Sequence, residues 1–333
     1  MTNTQQLLAQ KFPQLLFKND FVLAPMTYFK IGGRAEVFCE VSDADQLAQL
    51  IQFCDQQTVP VTMMGGASNV IVADEGIPGI TICFTGQKYQ ILDQKTDDGR
   101  TIIQAEVGWK TAPFVRKTID DGFAGLEYFL GVPGRISGAV YNNAHYLQQL
   151  IGEHIWRVEI IEPNGTRRWL TNAECQFAYD DSIFHRQAWV IIQVEFALQT
   201  GDVTTSMDKV KHATLYRAQT QPLGEPSSGC FFRNPPNTDQ LRQRYPQYAE
   251  RAECPAAFLI DQLGLKGTRI GGVEVSSKHA AFLINVGGGT SKDALELKEL
   301  VKKRVLEEYG VELKEEVFFL GPKTAQSDFT QSA

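Results

Sequence analysis

Apolar residues along this chain switch repeatedly between a spacing of two and a spacing near 3.6, which predicts strands alternating with helices. Residues 1–20 read as a short helix and a connector. Glu36 to Val41 predicts a strand. Leu47, Leu50, Ile51 and Cys54 then recur at helical spacing, so residues 43–57 read as an amphipathic helix with Ser42 as its cap. Val59 to Met64, Val70 to Ala73, Ile80 to Phe84 and Ile102 to Val107 are further apolar runs of strand length, the last two separated by a polar hairpin. Thr111 to Asp121 is helical. Trp156–Glu162 and Thr166–Leu170 flank Asn164-Gly165, a pair suited to the positive φ angles of a type I′ turn, and predict a tight hairpin. A buried strand at Trp189 to Leu198 and a helix at about Thr204 to Arg217 follow.

Beyond that helix the pattern restarts. Gln221 to Ser228 is too rich in Pro, Gly and Ser for a regular element. It leads into Gly229-Cys230-Phe231-Phe232-Arg233-Asn234-Pro235, with Cys230 where loop meets strand. Ala256 to Leu263 is helical, Leu265-Lys266-Gly267 is a turn, and Ile270–Ser276 and Ala280–Val286 read as strands. Ser291 is placed to cap a helix with Leu297, Leu300, Val301 and Val305 inward and Gly310 at its end. Glu312 to Leu320 reads as a last strand, whose alternation sends Glu315 and Glu316 to opposite faces. The final dozen residues look disordered.

Composition narrows the function classes. The 333 residues suffice for two or three compact units. A net charge of −7 argues against a general nucleic-acid binder, because phosphate contacts need clustered Lys and Arg. The six cysteines include no CxxC pair and the five histidines are scattered, so no metal site is indicated. No apolar run approaches the ~20 residues needed to span a bilayer, and the first residues show no basic-then-apolar leader. A cytoplasmic protein with reduced thiols is expected.

Two glycine-rich stretches and one thiol carry the candidate chemistry. Gly65-Gly66-Ala67-Ser68-Asn69 leads into β-branched residues, so it does not open a helix as a Rossmann loop would. A turn of this kind can still expose successive backbone N–H groups to an anion. In Gly125 to Ala139, the small residues Gly134, Gly138 and Ala139 allow close approach to a flat ligand. Cys230 is either a small buried hydrophobe or a proton donor at a domain junction.

Taken together, these motifs resemble the UDP-N-acetylenolpyruvoylglucosamine reductase (UDP-N-acetylmuramate dehydrogenase) family. The match runs from about residue 20 to Gly321. Its anchors are Phe29–Gly33, Gly65–Asn69, Gly131-Val132-Pro133-Gly134, Tyr179 with Ser182-Ile183-Phe184, Gly229–Pro235, Leu265-Lys266-Gly267 with Gly271-Gly272, and Glu316-Val317. The resemblance implies an α+β fold. A two-lobed FAD-binding domain of the vanillyl-alcohol-oxidase (PCMH) type would span 20–205. A smaller α+β substrate domain would span 206–321, with a disordered tail at 322–333. It implies a monomer that needs no membrane and acts on a UDP-sugar in peptidoglycan synthesis, and so in cell-wall biogenesis, cell shape and division.

The resemblance also implies roles. Gly65, Gly66, Ala67, Ser68 and Asn69 would hold the FAD pyrophosphate, and Val132, Pro133, Gly134, Gly138 and Ala139 would line the flavin. NADPH would reduce FAD, and the enolpyruvyl ether would then take a hydride on its terminal methylene. A serine in the family donates the proton to the adjacent carbon; Cys230 stands at that position, and a thiol is the stronger acid. Glu316 matches the late glutamate that stabilises the enolic carboxylate. Tyr179 would meet the substrate, with Arg217, Asn234 and Lys266 at its phosphates.

Four departures qualify the match. The family's Tyr-Arg-x-Ser reads Tyr179-Asp180-Asp181-Ser182, so a carboxylate-polarising cation is missing; Arg135, Arg186 and Arg233 are candidates to replace it. A lysine before the Gln-Pro step is Thr220. Residues 143–154 differ from the usual Asn-x-Gly-Ala-Tyr-Gly. The short Gly201 to Asp208 segment places the chain in the short-loop subgroup. Another flavin oxidase on this fold, or a degenerate FAD-binding protein, are the alternatives. A covalent flavin would need a His or Cys at the cofactor loops, and no His lies near them before His145.

Overall fold

The computed structural model describes residues 3–322; the tail expected to be disordered lies, except for Pro322, outside the described residues. The chain builds an α+β molecule from three principal sheets. The first sheet runs in the order Phe17–Val22, Arg34–Val41, Ile77–Phe84, Val61–Met63. Its outer strand is antiparallel and the other pairings are parallel. Parallel neighbours need a crossover, and the helix Ala44–Gln56 serves as one, burying Leu47, Leu50, Ile51 and Cys54. Asp43, not Ser42, caps it: its carboxylate accepts from the N–H groups of Asp45 and Gln46.

The second sheet is antiparallel, in the order Arg167–Thr171, Ile155–Ile161, Val190–Thr200, Thr101–Glu106, Tyr89–Lys95. The hairpin expected at Asn164-Gly165 is present, but its turn differs. Only Gly165 takes a positive φ, 83°, and its N–H bonds Glu162 O across Pro163. A three-residue loop ending in a left-handed glycine results, because proline fits the first corner of an ordinary turn. Leu47, Ile80, Phe114, Val158 and Phe196 belong to one continuous core under both sheets.

The third sheet runs Ser227–Cys230, Phe282–Asn285, Val273–Val275, Arg269–Ile270. Gly271-Gly272 breaks the strand expected over Ile270–Ser276 into two arms of a tight turn. Helix Ser291–Tyr309 covers this sheet through Leu297, Val301 and Val305, and Gly310 ends it at φ 65°. Its cap is Thr290, in a reciprocal box with Asp293; the Ser291 hydroxyl instead accepts from the Asp74 N–H at 2.9 Å.

The chain end returns to the first unit. Only Phe318–Leu320 of the expected last strand is regular, and it pairs in parallel with Val70–Val72. That pairing brings Glu316 beside the glycine loop it follows in sequence by hundreds of residues. Asn69 donates its side-chain amide to Glu316 O at 3.1 Å across a separation of 247 residues. On the other side, Glu316 N–H bonds Phe231 O at 3.0 Å.

Candidate active site

A cavity of about 370 Å³ lies where the three sheets meet, a size that suits a small-molecule site. Gly65–Asn69, Val132, Pro133, Gly138 and Ala139 line one part of it, and Ser228, Gly229, Cys230 and Glu316 line another. Among the described residues, nothing accepts a hydrogen bond from the backbone N–H groups of Gly65 to Asn69. Ala67 takes φ 51°, so this run of free donors curls into an anion-binding nest.

The glycines explain how closely the walls approach. A Cβ on Gly66 would come within 2.3 Å of Gly134 Cα, so these two loops touch backbone to backbone. Gly134 therefore supports the wall from behind instead of facing the cavity. A Cβ on Gly138 or Gly229 would meet nothing within 4 Å, and both residues border the cavity. Free amides beside an open, small-residue wall are what a dinucleotide with a flat ring requires, and this donor set fits FAD. Gly66→Ala is expected to force the loops apart and give protein with much less bound flavin, measured as flavin absorbance per protein after purification.

Cys230 is aimed by an irregularity in its strand. Ser227 pairs with Ile284 and Cys230 with Phe282, so three residues on one strand step past two on the other. Gly229 makes the extra step at φ 88°. Bulges of this kind redirect side chains, and this one turns Cys230 into the cavity wall. Enclosure by protein pushes the thiol pKa up; the negative charges of Glu316 and Asp180 act the same way, and Arg217 opposes them. Cys230 therefore keeps its proton at physiological pH.

Glu316 and Glu315 diverge as strand alternation requires. Glu315 pairs with Lys298 and Lys302 at 3.2 and 2.8 Å, away from the cavity. Burial and the Asp180 carboxylate push Glu316 up to about 8, against the pull of His145 and Arg233. At neutral pH Glu316 is thus a protonated acid facing the cavity.

His145, Tyr146 and Asp180 complete this end of the wall. His145 Nδ1 lies 2.9 Å from Asp180 Oδ1, and its Nε2 lies 3.0 Å from the Tyr179 hydroxyl. Arg217 stands over the Tyr146 ring, and its buried Nε has no partner among the described residues. Ser137 Oγ, Gln221 Oε1, Ser228 Oγ and Asp180 Oδ2 are also buried without partners among the described residues, and all four residues border the cavity. Buried polar atoms normally find partners, so these atoms mark where a ligand supplies them.

The chain's relatives agree with this geometry. Residues 35–171 match the model of an FAD-binding domain, and residues 221–320 match that of the UDP-N-acetylenolpyruvoylglucosamine reductase C-terminal domain. A UDP-N-acetylenolpyruvoylglucosamine reductase 2 from Bacillus anthracis is 34% identical over 96% of this chain and 98% of its own length. The chain belongs to the UDP-N-acetylenolpyruvoylglucosamine reductase family. A relative from Clostridium novyi is 33% identical over 92% of this chain and 93% of its own length. The crystal structure of the Thermus caldophilus reductase superposes with a TM-score of 0.72 at 26% identity, covering 92% of this chain and 98% of that one.

Some residues expected at a reductase site are not brought to it. Lys266 is held by Asp261 at 2.8 Å, and Asn234 Oδ1 accepts from the Ala256 N–H at the start of a helix. Neither borders the cavity, and Tyr179 and Arg233 do not border it either. Arg186 also stands apart, with its guanidinium on both oxygens of Asp181. Arg135 borders the cavity on the glycine-loop side and bonds Gly108 O. Arg233 donates to Asp180 O at 3.1 Å, and its charge reaches Glu316. His145, Tyr146, Gln221 and Ser228 were not anticipated. A single histidine in a stretch that departs from the family pattern gives no spacing signal, and only folding places it against Asp180.

Among the described residues no helix is long and apolar enough to cross a membrane. No group of three or more potential metal ligands occurs among them.

Proposed function

We propose that this chain uses FAD and NADPH to reduce the enolpyruvyl ether of UDP-N-acetylglucosamine enolpyruvate, yielding UDP-N-acetylmuramate for peptidoglycan synthesis. The observation that carries the reading is the meeting of a protonated thiol, Cys230, and a protonated carboxyl, Glu316, in the wall of the cavity whose other part is the Gly65–Asn69 nest.

FAD held at the Gly65–Asn69 nest would, once reduced, supply hydride chemistry for the terminal methylene carbon. The remaining work falls to the protein. As the methylene gains its hydrogen, negative charge spreads from the adjacent carbon into the carboxylate. Glu316, as an acid, donates a hydrogen bond to that carboxylate and stabilises the charge. Arg233, whose charge reaches Glu316, attends the same carboxylate as the replacement cation. Cys230 then gives its proton to the adjacent carbon, completing the saturated ether, and the thiolate is reprotonated from solvent. Arg217, the cation felt by Cys230, stabilises that thiolate while it lasts. The reading takes the protein as a monomer. We place the division between FAD-binding and substrate units at 205/206, where helix Val203–Thr220 leads into the Cys230 strand.

Anaerobic addition of the enolpyruvyl substrate to the NADPH-reduced protein tests the reading. Return of the yellow flavin spectrum supports it. Reoxidation only by oxygen points to an oxidase and overturns it. The cation assignment has its own test. Arg233→Ala is expected to slow substrate reduction roughly 10- to 100-fold, whereas Arg186→Ala leaves the rate unchanged. Equal rates for Arg233→Ala and the parent would remove Arg233 from the site.

A further inference from the structure

Asp180 is an anion where the family motif has a cation, and its buried Oδ2 has no partner among the described residues. We infer that Asp180, His145 and Tyr179 form a hydrogen-bond relay that presents the Tyr179 phenol as a donor to the substrate's anionic carboxylate, taking over part of the missing arginine's work. The inference rests on the reaction proposed above.

The geometry is pinned from several sides. Asp180 sits at φ 49°, a left-handed position that short polar residues tolerate. Arg233 holds its carbonyl at 3.1 Å. Asn143 is fully buried and ties the two arms of the relay together. Its amide donates to Ala178 O at 2.6 Å, and its Oδ1 accepts from Gly152 N–H at 2.8 Å. The hairpin carrying His145 and the loop carrying Tyr179 and Asp180 are therefore fixed to one residue. The His145 and Tyr179 rings lie 4.4 Å apart.

Proton placement decides what the relay does. A neutral His145 whose Nδ1–H points at Asp180 must accept at Nε2, and the Tyr179 O–H is then spent on the histidine. An imidazolium donates at both nitrogens. Tyr179 oxygen then accepts from Nε2–H, and its own O–H is free for the ligand. The acids facing His145 are Asp180 from its own loop contact, Glu253 from the segment before helix Ala256–Gln262, and Glu316 from the chain end, which adds its charge only once the pH passes about 8. Burial draws the imidazole pKa down, but the Asp180 bond and these three acids outweigh it and raise the value. In this relay Asp180 and His145, which border the cavity, are positioning residues, and Tyr179, which does not border it but feels the charges of Cys230 and Glu316, is the group that would reach substrate. An acid at the arginine's position becomes useful because its charge keeps His145 protonated.

The test uses flavin-loaded protein reduced by NADPH and reoxidised anaerobically by UDP-N-acetylglucosamine enolpyruvate, at acid, neutral and mildly alkaline pH. Flavin content and the rate of flavin reduction by NADPH control for folding. Tyr179→Phe and His145→Gln are each expected to slow reoxidation roughly 10- to 100-fold at neutral pH, with both control readouts unchanged. Asp180→Asn slows it most at alkaline pH, where His145 loses its proton first. The deciding measurement is the double variant. In the His145→Gln background, at the acid end of the range where Glu316 keeps its proton with or without the Asp180 charge, Asp180→Asn should add less than about twofold, since one relay cannot be broken twice. An Asp180→Asn penalty of equal size with and without His145 overturns the relay, as does a Tyr179→Phe variant at the parent rate. A parent protein that the substrate fails to reoxidise overturns the reaction itself, and the relay with it.

Discussion

Cys230→Ala is expected to leave reduction of the flavin by NADPH intact and to slow its reoxidation by the enolpyruvyl substrate by roughly 10²–10⁴-fold, the usual contribution of a positioned general acid. The separation follows from where the thiol stands. The nest that receives the cofactor is made by the first unit, whereas Cys230 lies on the bulged strand of the third sheet. Removing its sulfur takes away a proton donor without touching a cofactor donor. Cys230→Ser is expected to retain activity. A hydroxyl in the same place can deliver a proton along the same path, although it is a weaker acid. The pair of variants separates a proton donor from a space-filling thiol. If Cys230→Ala reoxidises as fast as the parent, the thiol is only filling space, because a small cavity in the wall would not by itself alter proton delivery.

The second large effect concerns Glu316 and pH. With its pKa pushed up to about 8, Glu316 is an acid at neutral pH and loses its proton as the pH rises through that value. Reoxidation by substrate should therefore fall toward tenfold per pH unit above about 8. Glu316→Gln should be slower at neutral pH and lack this alkaline limb, since an amide does not titrate. A limb that survives in Glu316→Gln would have to be assigned to another group. The same titration acts on stability. The unfolded chain releases this proton near the ordinary value of 4.5, whereas the folded chain holds it to about 8. Across that window the folded state binds more protons than the unfolded one, so stability falls as pH rises. Glu316→Gln is then expected to melt higher than the parent, by a margin that grows between these two values and levels off above the second. The full difference is on the order of a few kcal/mol. Thermal unfolding at several pH values measures it.

Much of this was readable in the chain before folding. The periods located the main strands and helices, because burial of one face leaves its spacing in the sequence. Caps were read one residue off at Ser42 and Ser291. Several Ser, Thr and Asp residues stand near each helix start, and only the backbone path decides that Asp43 and Thr290 bond the free N–H groups. The glycine loop, Cys230 and Glu316 stood out because the proposed chemistry needs particular residue types in a particular order, and the fold brings all three to one cavity. Lys266 and Asn234, expected at the phosphates, are bonded instead to Asp261 and the Ala256 N–H, local partners that carry no signature. His145 was missed for the opposite reason. Its value lies in Asp180, a residue that reads as a defect until the two are seen 2.9 Å apart.

The pairing of Phe318–Leu320 with Val70–Val72 also has a consequence for how the protein is made. A ribosome completes the cofactor loop and the thiol strand long before it reaches the carboxyl that works with them. Until the last segment emerges, the edge of Val70–Val72 is open and Asn69 has no carbonyl to hold. A chain cut short before Glu316 would, on the proposed reading, carry the Cys230 thiol without the carboxyl that works with it. In the proposed reaction, competence waits on a strand of three residues that closes the open edge of Val70–Val72.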